Sequence, residues 1–292
     1  MKIKKKGLKS LYILVILLSL FFLPFLMFLK KVKNKNIEQL KSGFNLSTIV
    51  TPTPTPTPTP RPLTFSEMNT LYGPCVYVPT LMYHHVQSPE DAKAKNQTGL
   101  TVRTADFRAQ MQYLKDRGYS VISMQDLLNF FEQGIKPSSK SALLTFDDGY
   151  SDFYLDVYPI LREFNYPATV FVPTGLMNNI GYLYWDKIAE MTSGRILFAN
   201  HTWSHKNVAA KQDVLKTEIS TADVQLNEKG LNIPKVFAYP YGLESSAAIS
   251  FLQGLNYKLA FTTRPGGTLC KKQMLDLPRI RIGNSSLSIY GL

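Results

Sequence analysis

LLTFDDGY, residues 143–150, is the stretch that decides the fold. Ala142, Leu143, Leu144 and Phe146 are apolar and strand-prone, and they deliver two adjacent carboxylates, Asp147 and Asp148, to a glycine able to take a tight turn. The run reads as a strand that ends in two acids. Neighbouring side chains on extended backbone diverge, so one acid can offer an oxygen to a cation while the other serves as a base a few ångströms away. Such a division of labour needs further ligands. His201 and His205, in ANHTWSHKN at 199–207, have a spacing that lets two imidazoles share one ion.

Outward from this strand, apolar runs alternate with helical periods. Val76–Tyr83 reads as a buried strand interrupted by Pro79 and ending at His84 and His85. Thr104 is placed to cap a helix with Phe107, Met111 and Leu114 on its apolar face. Val121 and Ile122 form a short strand, and Ser123 caps a second helix carrying Leu127, Leu128 and Phe131. Beyond the acids, strands are expected at 168–172, 196–199, 236–239, 257–262 and 279–282, with helical stretches at 185–191, 208–229 and 245–252. Seven or eight strands alternating with helices define an α/β fold with a mostly parallel sheet. A (β/α) barrel fits best, because candidate catalytic groups close separate strands; an open doubly wound sheet is the alternative. No GxGxxG or Walker loop is present, so no nucleotide is expected as a partner.

The chain has 292 residues and a net charge of +12. Ten lysines among the first 41 residues, against Glu38 alone, supply nine of those charges, so the basic balance belongs to the tail and no nucleic-acid partner is expected. From Leu11 to Leu29 no residue is charged, and about 1.5 Å of rise per residue lets this segment span a bilayer core. A cleaved signal peptide is the other reading, but lysines rather than a small-residue cleavage site follow. Residues 51–60 repeat Thr-Pro five times, a stiff extended spacer suited to a wall-spanning stalk. The expected organisation is a basic tail and membrane anchor (1–41, helix 11–29), a Thr-Pro-rich extracellular linker (42–75) and a catalytic domain (76–292). The expected location is the cell membrane, through a single-pass signal anchor with the catalytic domain outside. Cys75 and Cys270 are either one bridge tying the ends of the domain or two free thiols.

TFDDGYSD at 145–152, HTWSH at 201–205 and YPYG at 239–242 together resemble the polysaccharide deacetylase family, carbohydrate esterase family four, over about residues 76–283. The resemblance implies a distorted (β/α) barrel and metal-dependent hydrolysis of N-acetyl groups from N-acetylglucosamine polymers. It implies Asp147 as general base, Asp148, His201 and His205 as ligands of one divalent ion, zinc by preference, and the backbone N–H of Tyr241 as an oxyanion donor. A two-histidine, one-carboxylate set leaves coordination positions open, as a hydrolytic metal requires.

Two features depart from the commoner pattern. No histidine follows His205, so the acid that protonates the leaving amine must lie elsewhere. PTLMYHHV at 79–86 is similar to a branch that includes exopolysaccharide poly-N-acetylglucosamine deacetylases, which makes His84 the candidate, with His85 pointing the other way. Ala238 stands where other members have an arginine that braces the catalytic aspartate, and Arg279 or Arg281 is the candidate replacement. Tyr239 reads as a residue of the barrel mouth, and Trp203 and Tyr150 as sugar-stacking or packing aromatics. Peptidoglycan is a second substrate class, and a non-catalytic glycan-binding protein on a decayed deacetylase fold is the competing function.

Overall fold

The computed structural model describes residues 61–292, together with Met27, Lys30 and Lys31. Met27 apart, the expected anchor at 11–29 lies outside the described residues, as does the Thr-Pro tract. Among the described residues no helix is long and apolar enough to cross a membrane. Residues Arg61–Leu292 form one unit, and the structure below is of that unit.

The strands expected from the sequence form in that order, joined by three short ones not expected there, at residues 85–87, 101–103 and 268–270. They are β1 (Cys75–Tyr77), β2 (Thr80–Tyr83), β3 (His85–Gln87), β4 (Thr101–Arg103), β5 (Ser120–Val121) and β6 (Ser141–Phe146), then β7 (Ala168–Val172), β8 (Ile196–Asn200), β9 (Val236–Ala238), β10 (Leu259–Pro265), β11 (Thr268–Cys270) and β12 (Leu277–Arg281). The main sheet runs β2-β12-β10-β9-β8-β7-β6, every neighbouring pair is parallel, and β2 pairs with β6 to close the ring. Seven strands therefore form the barrel. The eighth, β5, pairs only with Ser141 and Ala142, leaving Leu143–Phe146 of the same strand for β2. The open-sheet alternative is set aside.

Two layers of apolar side chains hold this ring. Leu143, Phe171, Ala199, Val236, Ala238, Leu259, Phe261 and Leu277 belong to one buried cluster, to which the helix Met124–Gln133 adds Leu127, Leu128, Phe130 and Phe131. Their alternates Leu144, Phe146, Val170, Val172 and Phe198 belong to another, with Phe107, Met111 and Leu114 of the helix Thr104–Asp116. Alternation along each strand is what separates the layers. Ser123 caps Met124–Gln133 in a capping box with Asp126, and Gly134 ends it in the left-handed region at φ 75°.

Two local expectations are corrected. Val76–Tyr83 is not one strand: the chain breaks at Val78 and Pro79 into β1 and β2, because proline has no N–H to continue a ladder. Thr104 does not cap its helix; Arg103 is the capping residue, without a side-chain bond, and the Thr104 hydroxyl donates to Asp156 Oδ1 at 3.2 Å. The helix Phe65–Tyr72, begun by a Thr64–Glu67 capping box, falls in the stretch assigned to the linker.

β1 and β11 form a separate antiparallel pair in which Cys75 faces Cys270, and the two are joined by a disulfide 195 residues apart. Closing so long a loop restricts the unfolded chain, and loss of such a bridge costs about 2–5 kcal/mol. Cys75→Ser is therefore expected to lower Tm by about 10 °C, at about 2–4 °C per kcal/mol for a domain of this size. Thermal melts with and without reductant check this: the wild-type protein should fall to the variant's Tm under reductant, and the variant should not move.

Candidate active site

The loops that leave the carboxyl ends of the barrel strands meet around one cavity of about 520 Å³. Its walls include His84 after β2, Asp147 and Asp148 after β6, His201 and His205 after β8, Tyr241 after β9 and Arg281 at the end of β12. The six residues given catalytic or metal-binding roles from the sequence, His84, Asp147, Asp148, His201, His205 and Tyr241, thus line the same space. Parallel strands open their carboxyl ends on one face, so groups distant in sequence converge there.

Several of these residues sit in strained backbone. Asp148 (φ 72°), Thr202 (70°), His205 (59°) and Tyr241 (61°) are all left-handed without being glycine. A side chain pays about 1–2 kcal/mol for that region, so its clustering in three loops around one cavity points to function. Gly242 follows at φ 72°, where a Cβ would fall 2.5 Å from the Thr263 backbone nitrogen, so only glycine closes the Tyr-Pro-Tyr-Gly turn against β10.

Asp148, His201 and His205 offer ligand atoms that all lie within 4.8 Å of one another. Asp148 Oδ1 is 3.3 Å from His201 Nε2 and 3.1 Å from His205 Nε2, yet it is buried with no aligned hydrogen bond. His201 Nδ1 lies 2.8 Å from the Ala238 carbonyl oxygen, which can only accept, so Nδ1 carries the proton and Nε2 of the neutral ring presents a lone pair. A lone pair facing a carboxylate oxygen leaves a place for a cation between them. The same spot attracts positive charge: burial by itself would lower the His201 pKa, and Asp148 and Asp147 reverse that and hold it above the ordinary value, so a bound cation there would take the place of the proton they favour. Burial pushes the Asp148 carboxyl up, and the two imidazoles hold it well below the usual range. The donor set fits a divalent ion bound by two nitrogens and one oxygen.

Asp147 turns away from that focus. Arg279 donates to it through both terminal nitrogens, Nη1 to Oδ1 at 2.6 Å and Nη2 to Oδ2 at 2.7 Å. Arg279 is fully buried, with Nε donating to the Thr262 carbonyl at 2.9 Å and its guanidinium 5.5 Å from the Phe171 ring centre. Burial would raise the Asp147 pKa, and the arginine beside it brings the carboxyl below its ordinary value. Of the two candidate replacements for the missing brace, Arg279 takes the place. Arg281 points instead to the loop before β4, where Nη2 donates to the Gly99 carbonyl at 3.1 Å.

His84 stands at the end of β2 beside both acids. Burial lowers its pKa, against the pull of Asp147 and Asp148. Its backbone is tied on both sides to the acid-bearing stretch: the Asp147 N–H donates to the Tyr83 carbonyl at 2.9 Å, and the Val86 N–H donates to Asp152 Oδ2 at 2.8 Å. His85 faces away from the cavity, with Nδ1 3.1 Å from Asp152 Oδ2 and its ring stacked on Tyr150 at 3.7 Å. Tyr150 packs on that ring, with its phenol beside Asp148. Trp203 lies against Gly175, and Tyr239 is buried with its hydroxyl donating to the Leu275 carbonyl at 2.9 Å. Tyr241 sets its ring edge against His205 at 4.8 Å.

Two buried acids that support these loops, Asp152 and Glu218, were not among the sequence candidates. Asp152 closes the TFDDGYSD motif. Glu218 occupies a core-facing position of its helix between Leu215, Ile219 and Ala222, and an acid in an apolar stripe is a signal that could have found it.

The closed parallel barrel thus sets a buried carboxylate, Asp147, beside a two-histidine, one-carboxylate cluster able to hold a metal ion. The polysaccharide deacetylase family model matches residues 134–260. A solved structure of the deacetylase PplD of Streptococcus pyogenes, in complex with acetate, is 32% identical, with a TM-score of 0.65 over 72% of this chain and 94% of that one. A polysaccharide deacetylase from Bacillus cereus is 25% identical, with a TM-score of 0.64 over 73% of this chain and 67% of that one. The poly-beta-1,6-N-acetyl-D-glucosamine N-deacetylase of Escherichia coli strain K12 is 28% identical over 70% of this chain, which spans 36% of that relative's length. The chain belongs to the polysaccharide deacetylase family.

Proposed function

We propose that this protein removes N-acetyl groups from the N-acetylglucosamine units of a cell-surface polysaccharide, releasing acetate, with one zinc ion held by Asp148, His201 and His205. The observation that carries the reading is the meeting of those three residues, Asp147 and His84 on one cavity, with Asp147 ionised by Arg279. A divalent ion held there supplies Lewis acidity to the amide carbonyl and acidity to water. Asp147, kept as a carboxylate, accepts the proton of the attacking water, and Arg279 fixes both its oxygens. The amide N–H of Tyr241, set in its left-handed turn, serves the carbonyl oxygen as charge builds there. His84 gives a proton to the departing amine; its lowered pKa makes it a readier donor while reducing the fraction that carries the proton at neutral pH.

The polymer reading draws on the name of the Escherichia coli relative and on the cavity's form. A second hollow of about 320 Å³ adjoins it through His84, Leu100 and Arg281, giving room beside the reacting sugar for a neighbour. We place the catalytic unit outside the membrane, anchored by 11–29 and spaced by the Thr-Pro tract; the Cys75–Cys270 bridge supports an oxidising compartment.

The test is acetate release from β-1,6- and β-1,4-linked N-acetylglucosamine oligomers and from peptidoglycan. Release from the β-1,6 oligomer should fall to background after chelation and return with zinc. Acetate release unchanged by chelator would sink the metal reading, and none from any glycan would sink the activity.

A further inference from the structure

We propose that Glu218 is a positioning residue for the metal site, holding Ser204 so that His205 meets Asp148 and His201. This rests on the reading of those three residues as ligands. Glu218 comes from the helix Gln212–Glu228, outside every motif, and is 2% exposed. Both of its oxygens are spent on one residue: the Ser204 N–H donates to Oε2 at 2.7 Å and the Ser204 hydroxyl to Oε1 at 2.6 Å. Lys206 Nζ stands 3.4 Å from Oε1, on the other side of His205 in the chain.

The rest of the loop shows why this grip matters. His201 is held by its N–H to the Val172 carbonyl, Thr202 by its N–H to Asn200 Oδ1 and by Thr174, and Trp203 by its carbonyl from Gly175. These bonds fix the first histidine against β7. His205 lies beyond them, in left-handed backbone, and Glu218 is the anchor on its side. Burial would raise the Glu218 pKa, but the Ser204 bonds and Lys206 keep it below the ordinary value, so the carboxylate accepts from both donors at neutral pH. Partners behind metal ligands typically change metal affinity about 10–100-fold when removed.

The experiment is a zinc titration of the full chain, wild type against Glu218→Ala, Glu218→Gln, Ser204→Ala and His205→Ala. Glu218→Ala is expected to raise the zinc Kd about 10–100-fold. Glu218→Gln should stay close to wild type, since its carbonyl accepts the Ser204 N–H and its amide donates to the hydroxyl. Ser204→Ala loses one bond to a fold-neutral change, and its Kd should rise about threefold. This variant decides the matter if Glu218→Ala does not fold. Wild-type Kd in Glu218→Ala and Ser204→Ala, with His205→Ala weakened, overturns the role of Glu218 and leaves the metal site standing. Wild-type Kd in His205→Ala overturns the ligand reading, and the inference with it.

Discussion

Asp147→Asn is expected to lower kcat about 10³-fold while zinc content stays at the wild-type level, because removing a general base costs about 10²–10⁴-fold. The ligand cluster does not include Asp147, and Asn keeps one oxygen to accept from Arg279, so the loss should fall on the chemical step. Acetate release under saturating oligomer, set beside metal analysis of the same sample, checks both halves. A variant that turns over at the wild-type rate would remove Asp147 from the mechanism. One that loses its zinc would move it into the ligand set.

Arg279→Met should cost about 10²-fold in kcat/KM at pH 7 and change the shape of the pH profile as well as its height. Asp147 is 4% exposed, and burial acts to raise its pKa; Arg279 is the main opposing charge and hydrogen-bond donor. In the wild-type protein the carboxylate is ionised through the neutral range, so the acidic limb due to this base lies at low pH. Without the arginine, burial wins, the pKa rises, and the base is protonated at pH values where it was free. The acidic limb therefore moves upward, and the variant regains activity as pH increases. Breaking a buried pair from one side also costs about 3–5 kcal/mol of stability, readable in a denaturant melt. An unshifted acidic limb in a folded variant would show that another group keeps Asp147 charged.

Where sequence reasoning reached the structure, it did so through local chemistry. The strand that carries Asp147, the 3.6-residue period of the helix with Phe107, Met111 and Leu114, and the box at Ser123 are each set by neighbours in the chain. The ligand candidates were legible because two histidines four apart and an acid pair are rare together, and the barrel brings strand ends to one face whatever their spacing. What was not legible depended on depth and on partners far along the chain. Arg279 and Arg281 are two apart, hence on the same side of β12, and alternation cannot separate them. Only the barrel does: the Arg279 side chain donates to the Thr262 carbonyl and reaches Asp147, while Arg281 stands at the mouth against Gly99. Thr104 was read as a cap from its residue type, but Asp156, 52 residues on, takes its hydroxyl. The pairing of Cys75 with Cys270 needed the antiparallel register of β1 and β11, which no spacing encodes. Glu218 stands out as an acid in the apolar stripe of its helix, but the residue it serves, Ser204, lies across the preceding loop and could not be named from that signal.

Ring closure by β12 has a consequence for biogenesis. This strand sits between β10 and β2, and it is the last strand to emerge during synthesis among the described residues. Until it arrives, β2 and β10 each present a row of bare amides and carbonyls to any passing chain, an invitation to aggregation. The brace for Asp147 travels on the same segment, so a nascent chain stopped short of residue 277 would be sticky and would lack that brace, and a chaperone would have cause to guard it until the final strand is delivered.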